Sequence, residues 1–346
     1  MSVLLTALQV PVIQAPMAGA ATPALAAAVS AAGGLGSLGL GASNAEQAAA
    51  MMAATRQKLG SGYFGVNLFC HHPAKADPAR EAGWLDFLSP EFARAGANTP
   101  SELHEIYPSF LNDDAMLAAV IAARPAMISF HFGLPSAGRI AALRQTGALI
   151  AASATSLPEA RAIRDAGLDA IIAQGFEAGG HRGIFDPDGP DACQPSIELL
   201  RDFAHLGLPL IAAGGIMNGE DAARHLRSGA VAVQMGTAFL PCPESAASPE
   251  WRARLRLGRT VMTRAISGRP ARGLENRLIA LGMRPDAPPL PDYPIAYDAA
   301  KALHAAAGGS DYAAQWAGTG AARARAMPAG RLVAQLADEI EAALAA

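Results

Sequence analysis

Residues 148–183 read ALIAASATSLPEARAIRDAGLDAIIAQGFEAGGHRG. Two apolar runs, 148–152 and 169–173, bracket a segment of helical spacing that opens on Ser156 with Glu159, the three-residue offset of a capping box. Both parities of each run are apolar, which suits strands buried on both faces of a parallel sheet, so the stretch reads as one β-α-β unit. Six further runs share this character: 12–15, 35–38, 63–68, 126–130, 208–212 and 230–235. Most end in Gly, Pro, Asn or Ser, and Ala-rich segments with helical spacing separate them. Thr22-Pro23, and Ser43 with Glu46, mark two more helix starts. Eight strand-helix units in about 250 residues have the size and rhythm of a (β/α)8 TIM barrel, whereas a doubly wound sheet usually stops at five or six strands.

The expected fold is therefore α/β, a (β/α)8 barrel, with two departures. An insertion at about 70–112, after the third strand, carries Trp84, Phe87, Phe92, Tyr107 and Phe110 and is expected to pack over the barrel mouth. After the eighth strand about a hundred residues remain. They start with a helix near Pro249, pass through the Pro-rich stretch 284–292, and end in a helical appendage from about Ile295. The expected division is a barrel over 1–245 and a helical extension over 246–346 packed on the barrel mouth.

The chain has 346 residues, 51% of them hydrophobic, enough for a large core. A formal charge of -3 gives no electrostatic reason to expect nucleic acid or an anionic membrane as partner. Cys70, Cys193 and Cys242 lack C-x-x-C spacing, against a disulfide framework or a zinc site, and a reducing, cytoplasmic setting is expected. His71-His72 lack a third spaced ligand, so no metal is expected. No charge precedes Glu46, but prolines and glycines cut that region into pieces too short for a membrane span.

In such a barrel the site lies at the carboxyl ends of the strands. Gly214-Gly215 and Gly236-Thr237 follow the seventh and eighth strands, where phosphate is most often bound, although Gly214-Gly215 also read as tight-turn glycines. The absent Lys-Ser/Thr of a P-loop argues against ATP or GTP. Asn67 and Gln174 are amides at core strand ends and need partners: a heteroaromatic ring such as an isoalloxazine, or water and loop backbone. His181, with an ordinary pKa near ~6.5, suits proton transfer. Arg182 either favours an anionic substrate or turns away toward a carboxylate such as Glu177. His131 and Ser153 are candidates for the substrate pocket, His131 reading equally as a hydrogen-bonded structural residue. The arginines of 252–284 read as a solvated helix face and loop contacts, and Tyr297 and Trp316 as packing for the appendage.

Taken in order, Gln14-Ala-Pro-Met-Ala-Gly19, Thr22-Pro23, 25–36, Val66-Asn67, 174–183, Ala213-Gly-Gly-Ile216, Gln234-Met-Gly-Thr237 and Gln315-Trp-Ala-Gly-Thr-Gly320 resemble the nitronate monooxygenases, formerly 2-nitropropane dioxygenases, over essentially the whole chain. The resemblance implies an FMN enzyme that oxidises alkyl nitronates with O2 to carbonyl compounds and nitrite, with no reduced nicotinamide. It implies small-molecule partners only and a monomer or homodimer. Carried over by position, Ala15, Met17, Asn67, Gln174, Gly179, Gly180, Gly214, Gly215, Gln234, Met235, Gly236 and Thr237 would hold FMN. His181 would be the active-site histidine, a base toward neutral nitroalkanes or a polar partner of the nitronate. Competing readings are an FMN-dependent enoyl-acyl-carrier-protein reductase using NAD(P)H and a phosphate-ligand barrel with no redox role. Chemistry like that of IMP dehydrogenase would need a loop cysteine nucleophile, which none of the three cysteines provides.

Overall fold

The computed structural model describes residues 3–346. Strands β1 (Val12–Gln14), β2 (Gly36–Gly39), β3 (Phe64–Phe69), β4 (Met127–His131), β5 (Leu149–Ala154), β6 (Ala170–Gln174), the short β7 (Gly180–His181), β8 (Leu210–Ala213), β9 (Ala230–Met235), β10 (Thr260–Thr263) and β11 (Ala271–Leu274) follow in chain order. Helices are α1 (Val3–Ala7), α2 (Pro23–Ala31), α3 (Ala45–Leu59), α4 (Pro78–Arg94), α5 (Asp114–Ala123), α6 (Ala137–Arg144), α7 (Leu157–Asp165), α8 (Ser196–Phe203), α9 (Gly219–Arg227), α10 (Pro249–Leu255), α11 (Arg277–Gly282), α12 (Ile295–Ala307) and α13 (Ala329–Ala345). Eight strands pair in parallel in the order β1-β9-β8-β6-β5-β4-β3-β2, and an Ile13–Leu35 bridge joins the two ends into a barrel. The eight expected runs match these strands to within two residues at each end. No helix among the described residues is long and apolar enough to cross a membrane.

Strand parity explains both the core and the site. Residues on one parity, such as Val66, Ile128, Phe130, Ile150, Ile171 and Val233, face the helices and build the main core. The other parity faces the lumen. Its lower positions, Ile13, Met127, Leu149, Ala170, Ile211 and Ala232, close the barrel floor together with Leu4 and Leu5 of α1. Two or four residues further up, the same parity ends in Asn67, His131, Ser153, Gln174 and Gln234, so polar groups collect at the carboxyl mouth by alternation alone.

Two expectations are corrected here. The capping box of α3 is Asn44 with Gln47, one residue beyond Ser43 and Glu46: Asn44 Oδ1 accepts from the Gln47 N–H, and Gln47 Oε1 accepts from the Asn44 N–H. Ser156 makes no side-chain cap at all. Glu159 instead accepts from the Thr155 N–H and hydroxyl and from the Phe185 N–H, tying α7 to the loop beyond β7. Among the arginines of 252–284 the expected loop contacts are made by Arg269 and Arg272, which are not at a solvated surface but only 4% and 6% exposed.

The segment 246–346 does not form one helical body over the mouth. Strands β10 and β11 form an antiparallel hairpin that pairs with β7, so the loop bearing His181 becomes the third strand of a small sheet. Trp84, Leu88 and Phe92 of α4 pack with Leu278 and Ile279 of α11 and with Ile295, Ala299 and Leu303 of α12 in a second core. Each fully buried Leu or Phe there contributes about 1.5–3 kcal/mol. Buried Glu91 pairs with Arg277 through two 2.6 Å bonds and accepts from the Tyr312 hydroxyl, which fastens the insertion to the end of the chain. Helix α13 departs altogether. Its Leu332, Val333, Leu336 and Ile340 lie on one helical stripe in the main core, against α9 and α2, so it is the eighth helix of the barrel wall.

Candidate active site

A cavity of about 770 Å³ opens at the carboxyl ends of the barrel strands. The structure brings every strand-end candidate to it, from Ala15 and Met17 on one side to His131, Ser153 and His181 on the other.

One end is made of main chain and amides. Gly214 and Gly215 turn with φ of +122° and +72°, a conformation that L side chains rarely adopt, and a Cβ on Gly215 would lie 3.1 Å from the Glu177 Cβ. Among the described residues, the N–H groups of Gly215 and Gly236 donate to no acceptor. Residues 237–239 begin a 3-10 turn whose first N–H groups are free by geometry, so the two glycine loops form a cradle of donors suited to an anion. Met235 keeps its side chain in the main core, on the outward parity. The Asn67 Nδ2 donates to Ser129, while its Oδ1 and the whole Gln234 amide make no hydrogen bond among the described residues.

The middle of the cavity is set by residues 174–183. Gln174 donates from Nε2 to the His181 carbonyl and accepts at Oε1 from the Gly183 N–H, so loop backbone meets part of its need. His131 Nε2 also serves the His181 carbonyl, at 3.1 Å. Since a carbonyl only accepts, this nitrogen carries the hydrogen, and Nδ1 accepts from Ser153 Oγ at 3.0 Å. His131 and Ser153 thus line the cavity while holding the histidine loop in place. Gly183 has to be glycine, since a Cβ there would come within 2.9 Å of the Ser153 Cβ and 3.1 Å of the His131 ring. A Cβ on Gly179 would strike the main chain of Ala317 and Gly318, so what approaches Gly179 is the 317–318 segment. Arg182 turns away from the cavity, but toward Asp191 and the carbonyls of Gln174 and Gly175; Glu177 accepts instead from Ser196.

The other end is aromatic and was largely missed by sequence reasoning. The His181 ring lies among Phe132, Tyr293, Tyr297 and Trp316, with centroids 5.1 to 6.4 Å away, and its Nε2 is 2.9 Å from Ser267 Oγ. Tyr107 of the insertion and Lys301 of α12 complete this wall, joined by a 2.7 Å hydrogen bond. Tyr297 and Trp316 therefore line the site as well as pack. Burial, with smaller contributions from the charges of His131, Arg269 and His71, pushes the His181 pKa down to about 3. Burial similarly holds His131 at about 4, so both rings are neutral near pH 7.

What this arrangement defines is a barrel enzyme that works on a small molecule at its strand ends, an anion cradle on one side and an aromatic pocket around a neutral imidazole on the other. The family model for nitronate monooxygenase matches residues 2–339. A nitronate monooxygenase of Pseudomonas aeruginosa is 51% identical over 97% of both chains, and one of Paraburkholderia phytofirmans is 53% identical over 96% of this chain and 92% of its own. Among solved structures, nitroalkane oxidase from Streptomyces ansochromogenes superposes with a TM-score of 0.89 at 38% identity, covering 98% of each chain. FabK from Thermotoga maritima is more distant, with a TM-score of 0.74 at 25% identity over 100% of this chain and 97% of that one. The chain belongs to the nitronate monooxygenase family and is an oxidoreductase.

Proposed function

We propose that the cavity holds FMN and that the enzyme oxidises alkyl nitronates with O2 to carbonyl compounds and nitrite. The residues present suit that cofactor. The N–H groups of Gly215 and Gly236 would take its phosphate, and the unpaired amides of Asn67 and Gln234 would meet the polar edge of its ring. Ala15 and Met17 sit closely against Gly236, where a Cβ would lie 3.4 Å from the Ala15 Cβ and 3.6 Å from the Met17 sulfur. When bound, FMN supplies the electron acceptor between substrate and O2. Three free thiols, with Cys193 exposed, fit a reducing cytoplasm.

The observation that carries this reading is a half-buried imidazole, kept neutral, that lines the cavity between the cradle and the aromatic wall. With the Ser267 hydroxyl donating to the Arg269 carbonyl, that hydroxyl accepts from His181 Nε2–H, and Nδ1 is left as the acceptor. An imidazole so reluctant to protonate is a weak base toward a neutral nitroalkane, and a nitronate needs no proton removed. Nitronates are accordingly the better substrates, with neutral nitroalkanes second. Replacing His181→Asn should leave FMN bound, abolish turnover of neutral nitroalkanes and spare part of the turnover of nitronates. Equal loss on both substrates, measured as kcat/KM from O2 uptake, would remove proton transfer from this residue.

A further inference from the structure

Behind the aromatic wall lies a buried cation with no counter-ion. Arg269 sits in the turn between β10 and β11 and is 4% exposed. Its guanidinium donates to the carbonyls of Ile184 and Phe185, its Nε has no partner, and no carboxylate lies within 4.0 Å among the described residues. The two acids whose charges reach it are spent elsewhere: Glu159 on Thr155 and Phe185, Asp188 on Arg264. The guanidinium carbon stands 4.3 Å from the Phe132 ring centroid, and Phe132 meets the His181 ring edge-on at 5.5 Å. The same guanidinium carbon stands 5.9 Å from the ring centroid of Tyr293, which lines the cavity, so a permanent positive charge faces the pocket across one aromatic ring.

We propose that Arg269 is the fixed counter-charge of the substrate pocket, a positioning residue that does not touch the ligand but makes the cavity select an anionic nitronate over its neutral conjugate acid. Holding an uncompensated guanidinium in the interior is costly, and an anion on the cavity side of Tyr293 offsets that cost where a neutral ligand does not. At about 10 Å, through protein of intermediate effective dielectric, one charge is worth about a tenfold change in anion affinity. Even with its pKa lowered by burial to about 10, Arg269 stays charged near neutral pH. The other groups around the pocket do not supply the charge. His71, His131 and His181 are held neutral, first by burial and then in part by Arg269 itself, and Tyr293 and Tyr297 are un-ionised phenols. Lys301, exposed at the rim on α12 and bonded to the Tyr107 hydroxyl, is the second cation.

The proposal rests on the nitronate reading, and the two can fail separately. Nitrate, a planar anion, and nitroethane, a neutral nitro compound, are titrated into the FMN-loaded enzyme by perturbation of the visible flavin spectrum, alongside KM for propyl nitronate. In the wild type, nitrate affinity should stay constant from pH 6 to 8.5; affinity that fades through the ordinary histidine range would assign the charge to an imidazolium and overturn the proposal. Arg269→Met should weaken nitrate binding and raise the nitronate KM about tenfold, with nitroethane changed less than about twofold, and Arg269→Lys should recover most of the loss. Equal losses for nitrate and nitroethane mean a merely structural role and overturn it. Should Arg269→Met not fold, the wild-type pH series still decides, together with Lys301→Met. A nitrate loss of tenfold or more in Lys301→Met would move the counter-charge to the rim and equally overturn the assignment. No nitronate turnover by the wild type defeats the functional reading, whereas turnover with unaltered selectivity in Arg269→Met defeats this inference alone.

Discussion

The two ends of the cavity are built from different materials. The cradle uses main-chain N–H groups and short amides at the ends of the barrel strands β3, β8 and β9, each placed by its own β-α unit. The aromatic end uses long side chains from the insertion, the β10–β11 region and α12, brought together by a second core; the Lys301–Tyr107 bond joins residues 194 positions apart. A cradle made of backbone tolerates little substitution, and a wall made of side chains can change without disturbing it. On the function proposed above, cofactor binding and substrate choice would thereby be separated within one cavity, and that separation can be attacked from either side.

The largest effect is expected at the cradle. Gly215→Val forces a β-branched residue into a backbone with φ of +72° beside Glu177, a strain on the order of 3 kcal/mol, or about a hundredfold in FMN affinity. Flavin fluorescence on dilution should show that loss while protease resistance of the 70–112 insertion is unchanged. Joint loss of both would mean that the two ends are one unit.

A smaller effect, of opposite kind, is expected from Glu91→Ala. It leaves the Tyr312 hydroxyl without its acceptor and strands the partly exposed, water-screened Arg277, and should cost about 1–2 kcal/mol in the second core. The expected result is faster proteolysis of the insertion and a raised nitronate KM, with FMN retained. The bond to Arg277, first, holds the Glu91 carboxyl down at about 2, against 4.5 when free. Its stabilisation is therefore complete above about pH 4.5 and is lost as the pH falls toward 2, a dependence that the variant should lack.

The same contrast separates what was legible in the sequence from what was not. Strand and helix periodicity is local, so all eight barrel strands and the polar residues at their ends could be found from residues a few positions apart. Asn44 with Gln47 fits the spacing of a capping box as well as Ser43 with Glu46 does, and only backbone geometry chooses between them. Which arginines of 252–284 make buried loop contacts could not be read, because the carbonyls that Arg269 and Arg272 satisfy lie 84 to 96 positions away. Trp316 was visible within the motif of residues 315–320, yet its contact with His181 depends on the hairpin that turns 180–181 into a strand. Nor does an amphipathic helix at the end of the chain announce that it completes a barrel wall begun three hundred residues earlier, as α13 does against α2.

The central claim is that one cavity binds FMN at its cradle and oxidises a nitronate at its aromatic end. Its most direct test is an anaerobic titration of the purified flavoprotein with propyl nitronate and, separately, with NADPH, followed by admission of air. The account predicts a yellow protein whose flavin is bleached by the nitronate, regains its colour with O2 uptake, and is left oxidised by NADPH on the same timescale. A colourless protein, or rapid bleaching by NADPH with no nitronate turnover, would contradict it.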